Sequence, residues 1–477
     1  MESTTAQQTN GNMDALFRPK SVAMVGVSED ASKIGYRVVR NMLDQNYPGD
    51  IFLINPRGGT ILDRPVLKDA KALPHGVDLA FLAVPMRAAC QALKGCIERE
   101  VKFVVALTAG FKETGPEGER LQRELSDLVR ASATRLVGPN CAGLCNTWGD
   151  FHGSIEIYPH RGDISLISQS GSLCSALSSN LAVRSSGISK YISVGNKADV
   201  NVADLLAYLG QDPTTRCIAL YLEDISDARR FRDVAFQVSR KKPVVILKSG
   251  RTAAGARATA SHTGALAGQD AVANGAFLQT GAIRVHTLTQ LYDVTAALSK
   301  TGPLFGKRLA VLSDAGGPGV LATDAAVEQG LEVPPTSPKA REDLRALLAD
   351  FASVRNPVDM TFTRDANQYA RCVEVLYRDH MNGILITIPS HFSVKEDIVS
   401  ALGGVRKDLG LPMAVAWLSA DEVEQARRDL WQKGIPAFLS PEPAVYALER
   451  LAWYGAWLKR RGMAWAERDP EPGKSSR

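Results

Sequence analysis

Short apolar runs rich in β-branched residues alternate with helix-period stretches along almost the whole chain, and the alternation starts three times. Residues 21–27, 51–55, 79–84, 103–107 and 135–137 read as strands of the first set, with a helix over residues 34–43. Such runs have no polar face, so they belong in a parallel sheet covered by helices on both sides. The second set follows Trp148, with strands at residues 163–168, 189–194, 217–222 and 243–248. A Gly/Ala-rich stretch, residues 250–268, then leads to a helix over residues 270–279. The third set begins at Lys307, with a strand over residues 308–313, a turn over 314–319 and a helix over 320–329. Strand, serine, small-residue turn and helix recur at Ser168 and Ser313, and Asn196-Lys197-Ala198-Asp199 echoes Asn356-Pro357-Val358-Asp359. The second and third sets therefore read as related flavodoxin-like units.

A length of 477 residues exceeds one ordinary core. The expected division is a disordered N-terminus (1–12), a Rossmann-like domain (13–147), two flavodoxin-like doubly wound domains (148–302 and 303–465) and a charged C-terminal tail (466–477). No apolar run approaches the roughly 18 residues that span a bilayer, and residues 1–12 lack the apolar centre of a secretory signal, so a cytoplasmic protein is expected. Seven cysteines, an odd number spread over the whole length, fit free thiols; there is no CxxC, no HExxH and no expected metal site. A net charge of +5, with Lys459-Arg460-Arg461 as a short basic run near the C-terminus, gives no nucleic-acid surface.

Val25-Gly26-Val27-Ser28-Glu29-Asp30-Ala31-Ser32-Lys33-Ile34-Gly35 links the first strand to a helix. Backbone N–H groups and the helix N-terminus can meet a pyrophosphate there, with Gly26, Ser28, Lys33 and Gly35 as candidate contacts. A plain strand-to-helix turn is the alternative, since the pattern is not GxGxxG. The second strand ends Ile54-Asn55-Pro56-Arg57, without the acid that holds a dinucleotide ribose, which disfavours a dehydrogenase. A ligand with phosphates near Arg57 or Lys33 fits better, and CoA carries both a pyrophosphate and a 3′-phosphate. Asn55-Pro56, Val84-Pro85, Leu107-Thr108-Ala109-Gly110 and Gly138-Pro139-Asn140-Cys141 each end a strand, at the edge where doubly wound sheets bind ligands. Together they resemble the CoA-binding domain of succinyl-CoA synthetase α subunits and their ADP-forming acetyl-CoA synthetase relatives. The resemblance implies Asn140 and Cys141 near the pantetheine end of CoA. It departs at Ala142, where succinyl-CoA synthetases commonly carry proline, and Cys141 equally suits a buried thiol.

In the second set, Ala260-Ser261-His262-Thr263-Gly264-Ala265-Leu266-Ala267-Gly268 reads as a loop whose small residues allow close approach to the histidine. Ser168-Gln169-Ser170-Gly171-Ser172 opens a helix and forms an anion site. Tyr221-Leu222-Glu223-Asp224 puts acids at a strand end, where a carboxylate can fix the tautomer of a nucleophilic histidine. Lys242-Pro243-Val244-Val245-Ile246-Leu247-Lys248-Ser249-Gly250-Arg251, running on to Ser261-His262-Thr263-Gly264, resembles the same family's phosphohistidine segment. That likeness implies His262 as the phosphorylated residue and Glu223 as its carboxylate partner. Ser170, Gly171, Ser172 and Gly264 would bind the phosphoryl group. Asp224 stays open for the carboxylate role, although strand alternation points it to the other face.

No segment resembles the family's ATP-grasp domain, and no P-loop occurs. The resemblance therefore implies a separate ATP-grasp β subunit in a heterotetramer, holding ATP or ADP with Mg, while this chain binds CoA and a small carboxylate. A non-catalytic CoA sensor or scaffold is the competing reading, and the intact His262 and Glu223 speak against it. A serine hydrolase built on Ser170 lacks the first glycine of GxSxG.

Overall fold

A computed structural model describes residues 13–263, 269–361, 365–389, 395–410, 412–419 and 421–465, so the expected N-terminal and C-terminal tails lie outside the described residues. The chain forms two compact units, Met1–Ser179 with Gly187–Val285, and Asn180–Ser186 with His286–Arg477.

The first unit holds two sheets. One runs β3-β4-β2-β1-β5-β6-β7, from β1 (Ser21–Val25), β2 (Asp50–Ile54), β3 (Thr60–Ile61), β4 (Arg64–Leu67), β5 (Leu79–Leu82), β6 (Phe103–Ala106) and β7 (Arg135–Val137). All of its pairs are parallel except β3 with β4. Every residue of β5 and β6 is buried, as expected for strands sandwiched between helix layers. The chain leaves β1 towards β2 and returns on its other side at β5, a crevice-forming switch point at the carboxyl edge.

The other sheet runs β14-β13-β12-β10-β11-β8-β9, from β8 (Gly143–Asn146), β9 (Phe151–Ser154), β10 (Arg161–Ser168), β11 (Ile188–Ser193), β12 (Cys217–Leu222), β13 (Val244–Lys248) and β14 (Ile283–Val285). The hairpin β8–β9 is absent from the sequence reading and joins β11 in antiparallel fashion, so this sheet begins a few residues before Trp148. The hairpin also knits the two sheets together. Helix Ile34–Asp44 packs on β9, and Asn41 Nδ2 donates to Ser154 O at 2.7 Å. Phe17, Phe81 and Phe151 lie in one continuous core with Leu144 and Ile192.

The second unit is built on β16-β15-β17-β18-β19, from β15 (Leu309–Ser313), β16 (Val358–Asp359), β17 (Gly383–Ile388), β18 (Met413–Trp417) and β19 (Ala437–Phe438). Its order matches β11-β10-β12-β13-β14 strand for strand, so the two are copies of one doubly wound unit. The turn after β10 and its counterpart after β15 close identically. Ser168 Oγ donates to Ser170 O and accepts Ser170 N–H, while Ser313 Oγ donates to Ala315 O and accepts Ala315 N–H.

Three local readings are corrected. The Gly/Ala-rich stretch expected as a loop contains helix Ala253–Thr263, in keeping with the high helix propensity of its alanines. The turn expected over residues 314–319 is shorter, since helix Gly316–Glu328 takes in Gly316 and Gly317. Asn196–Asp199 and Asn356–Asp359 are not equivalent: Asp359 pairs with Ser313 as Ser193 pairs with Ser168, which puts Asn196 beyond its strand.

Candidate functional site

At the carboxyl edge of the first sheet, Gly26 ends β1 with φ +95°, its N–H donating to Ile54 O at 2.9 Å. A Cβ there would lie 2.4 Å from Ala83 O, so the position requires glycine. Ser28 Oγ accepts Asp30 N–H at 3.2 Å, exposed Lys33 caps helix Ile34–Asp44, and buried Gly35 lies in its first turn. Asn55 Nδ2 donates to Val27 O at 2.7 Å and its Oδ1 accepts Arg57 N–H at 2.9 Å, which ties the ends of β1 and β2 together. Pro56, Arg57 and Pro85 are exposed, and Val84 is half-buried. Thr108 Oγ1 donates to Val84 O at 2.7 Å, Asn140 N–H donates to Thr108 O at 2.9 Å, and Gly110 N–H donates to Glu113 Oε1 at 2.7 Å. With Ala83 N–H donating to Val25 O at 2.8 Å, the edge presents loops from five strands, β1, β2, β5, β6 and β7, as one hydrogen-bonded rim. Cys141 faces inward: it is buried, its Sγ donates to Ala106 O at 3.3 Å, and burial pushes its thiol up to about 12.

At the corresponding edge of the second sheet, Ser170, Gly171 and Ser172 open helix Gly171–Val183, which contains no charged residue, so its N-terminal dipole is uncompensated within the helix. Ser170 and Ser172 hydroxyls lie 3.3 Å apart. Glu223 follows β12 and is 5% exposed; its backbone N–H donates to Gln169 Oε1 at 2.9 Å. Asp224 turns elsewhere. Its carboxylate accepts Lys197 Nζ at 2.7 Å and Gln169 Nε2, while Lys197 also donates to Gln169 Oε1 at 3.1 Å and Asp224 O at 3.0 Å. Burial opposes both charges. Lys197 is lowered from the ordinary lysine value by that burial, whereas for Asp224 the Lys197 ammonium outweighs it and the carboxyl is held low. His262 falls in the last turn of helix Ala253–Thr263; its side chain and Gly264 lie outside the described residues.

The two edges meet. A Cβ on Gly171 would lie 2.7 Å from Ala142 Cβ, so the helix start of the second sheet abuts the residue after Cys141. Asn196 N–H donates to Pro139 O at 2.9 Å, and its Nδ2 donates to Glu113 Oε2 at 2.7 Å and Gln122 Oε1 at 2.9 Å. Asn140 Nδ2 reaches Asn196 Oδ1 at 3.5 Å. Gln169, Lys197, Asn196 and Glu113 were not singled out from sequence. The signal for Lys197 was a lysine two residues after Gly195 in the turn that follows β11, at the edge where ligands bind.

Among the described residues, no helix is long and apolar enough to cross a membrane, and no cluster of His, Cys, Asp or Glu could hold a metal.

Comparison with known proteins gives three family matches. Residues 20–147 match the CoA binding domain, 161–298 the succinyl-CoA ligase like flavodoxin domain, and 309–456 the ligase-CoA domain. The α subunit of ADP-forming acetate–CoA ligase II of Pyrococcus furiosus is 37% identical over 451 residues, covering 92% of this chain and 98% of that one. ADP-forming acetate–CoA ligase I of Archaeoglobus fulgidus is 34% identical over 443 residues, covering 93% of this chain and 64% of that longer protein. Among solved structures, dinucleotide forming acetyl-coenzyme A synthetase 1 of Ca. Korarchaeum cryptofilum, in complex with phosphate and ADP, superposes with a TM-score of 0.88 at 32% identity, covering 94% of this chain and 98% of that one. On sequence, domain content and fold, this chain belongs to the ADP-forming acetate–CoA ligase family and corresponds to its α subunits.

Proposed function

We propose that this chain is the α subunit of a cytoplasmic acyl-CoA synthetase that makes acyl-CoA from a small carboxylate, CoA and ATP. A separate ATP-grasp β subunit completes it as a heterotetramer and holds the nucleotide with its Mg2+ ion. The β subunit delivers the γ-phosphoryl group of ATP to one ring nitrogen of His262, and ADP departs. The carboxylate oxygen then attacks phosphorus, which frees His262 and forms an acyl phosphate. CoA sulfur attacks the carbonyl carbon, the bond to phosphate oxygen breaks, and phosphate leaves with the thiol proton.

In this scheme Glu223 accepts the second ring N–H of His262, which fixes the tautomer and offsets positive charge on the phosphorylated ring. Ser170, Gly171, Ser172 and Gly264 bind the phosphoryl oxygens. Gly26, Ser28, Lys33, Gly35, Asn55, Pro56, Arg57, Val84, Pro85, Thr108, Gly110, Asn140 and Cys141 line the CoA site, Cys141 from the buried side. The observation that supports the proposal is the close approach of Gly171 to Ala142, the start of a helix of the second sheet lying against the residue that follows Cys141.

The test is co-expression with a grasp-domain partner and a screen of carboxylates, acetate first, for CoA-dependent phosphate release. Wild-type enzyme should carry an acid-labile phosphate on His262, and a His262→Asn enzyme that keeps full turnover would overturn the mechanism.

A further inference from the structure

The turn Lys112–Thr114 follows β6 in the CoA-binding sheet, yet helix Ala253–Thr263, which carries His262, packs against it. The turn is firmly built. Glu113 Oε1 accepts the N–H groups of Gly110 at 2.7 Å and Phe111 at 3.1 Å, and its Oε2 accepts Asn196 Nδ2 at 2.7 Å. Thr114 Oγ1 donates to Gly110 O at 2.8 Å and Phe111 O at 2.9 Å. Half-buried Lys112 stands at the head of this turn.

Three lysines approach the carboxyl edge of the second sheet. Lys197 donates to Gln169 and Asp224, and Lys248 to Ser249 O at 2.9 Å and Glu223 O at 3.4 Å. The Lys112 ammonium makes no hydrogen bond or ion pair among the described residues. Its charge nevertheless reaches the edge: after burial and the Lys197–Asp224 pair itself, it lowers both Lys197 and Asp224 further. A cation without an acceptor among the described residues, carried by a turn that packs on the helix of His262, has a mobile anion as its natural counterpart, and an ammonium serves phosphate as a point charge.

We propose that Lys112 is a phosphoryl-binding residue of this site, its ammonium holding the oxygens of the group that passes between the acyl carboxylate and His262. The proposal rests on the function given above and adds a charge supplied by the CoA-binding sheet to chemistry on its neighbour.

The test uses the complex of this chain with its nucleotide-binding partner, run from acyl-CoA, ADP and inorganic phosphate. Lys112→Met should raise the KM for phosphate by about tenfold or more and lower kcat, with the KM values for ADP and acyl-CoA within about twofold of wild type. Lys112→Arg should recover most of the loss. A phosphate KM within about twofold of wild type in Lys112→Met overturns the proposal, as does an equal rise for acyl-CoA, which would place the damage in the CoA rim. A wild-type enzyme that turns over without labelled phosphate on His262 would instead remove the phosphohistidine scheme, and the phosphate KM of Lys112→Met would still decide the role of Lys112.

Discussion

Gln169 Oε1 accepts the backbone N–H of Glu223 at 2.9 Å, so a side chain at the start of one helix sets the position of an acid at the end of the neighbouring strand. The same oxygen accepts Asp224 N–H at 3.3 Å and Lys197 Nζ at 3.1 Å. Gln169→Leu removes one acceptor from three donors in a buried place. Each buried donor left without a partner costs about 1–3 kcal/mol, and relaxation recovers part of that, so a loss of about 2 kcal/mol or more is expected in urea unfolding. In the proposed scheme turnover should fall at least about tenfold, because a small misplacement of the carboxylate that orients His262 is expensive. Unchanged turnover together with the stability loss would show that this bond does not matter to the chemistry.

Glu223 and Asp224 should separate cleanly on mutation. Asp224 is committed to Lys197 and Gln169, so Asp224→Asn breaks a buried ion pair and leaves the lysine charge exposed to the interior. That change should cost about 3 kcal/mol of stability, within the range for removing one partner of a buried pair. Glu223→Gln keeps shape and burial but removes the charge expected beside the imidazole. It should lower turnover by about 10²-fold or more, with phosphohistidine accumulation reduced and the melting temperature little changed. The reverse pattern, with Asp224→Asn the worse catalyst at equal stability, would hand the carboxylate role to Asp224.

Gly195 joins the two sheets and accepts no side chain. Its φ is +52°, and a Cβ there would lie 2.2 Å from Pro139 O and 2.4 Å from Asn140 O. Neither oxygen is the end of a flexible side chain, so the Pro139–Asn140 backbone has to shift. Gly195→Ala should destabilise the first unit by about 2 kcal/mol or more and weaken CoA binding, because Asn140 moves with it. Calorimetry of CoA binding checks the second effect, and a wild-type affinity would exclude coupling through this contact.

Much of this architecture is legible in the sequence because parallel strands buried on both faces leave continuous apolar runs, such as residues 79–82 and 244–248. The hairpin β8–β9 escapes that reading. Five of the eight residues of Gly143-Leu144-Cys145-Asn146 and Phe151-His152-Gly153-Ser154 are polar or glycine, and only their pairing with each other and with β11 makes them strands. The helix Ala253–Thr263 was obscured by Gly255 and the small residues around it, which suit a loop as well as a helix. Single residues such as Glu223 could be named from a strand end. Networks such as Glu113–Asn196–Gln122 could not, since Asn196 lies 83 and 74 positions from its two partners and meets them only through tertiary packing.

One of those obscure strands carries a pH response. His152 on β9 is 4% exposed, its ring centroid lies 5.0 Å from that of Tyr158, and its Nε2 meets Glu156 O at 2.9 Å. A carbonyl only accepts, so Nε2 carries the proton in the neutral ring. Burial pushes the imidazole from its ordinary 6.5 down to about 4. The unfolded chain therefore takes up a proton below pH 6.5 that the folded chain refuses until about pH 4. Stability is full above the higher value and falls as pH drops between the two, by about 3 kcal/mol in all. His152→Gln keeps a donor for Glu156 O but has nothing to titrate. Its urea-unfolding free energy should be flatter than wild type across that interval, and the two should run parallel again at lower pH, where Asp224 and Asp212, the second paired with buried Lys190 at 2.6 Å and both held low, lose their ionised state. Equal slopes for the two proteins between pH 6.5 and 4 would mean that His152 protonates in the folded state as readily as in the unfolded one, and that the seat beneath the hairpin is open to water.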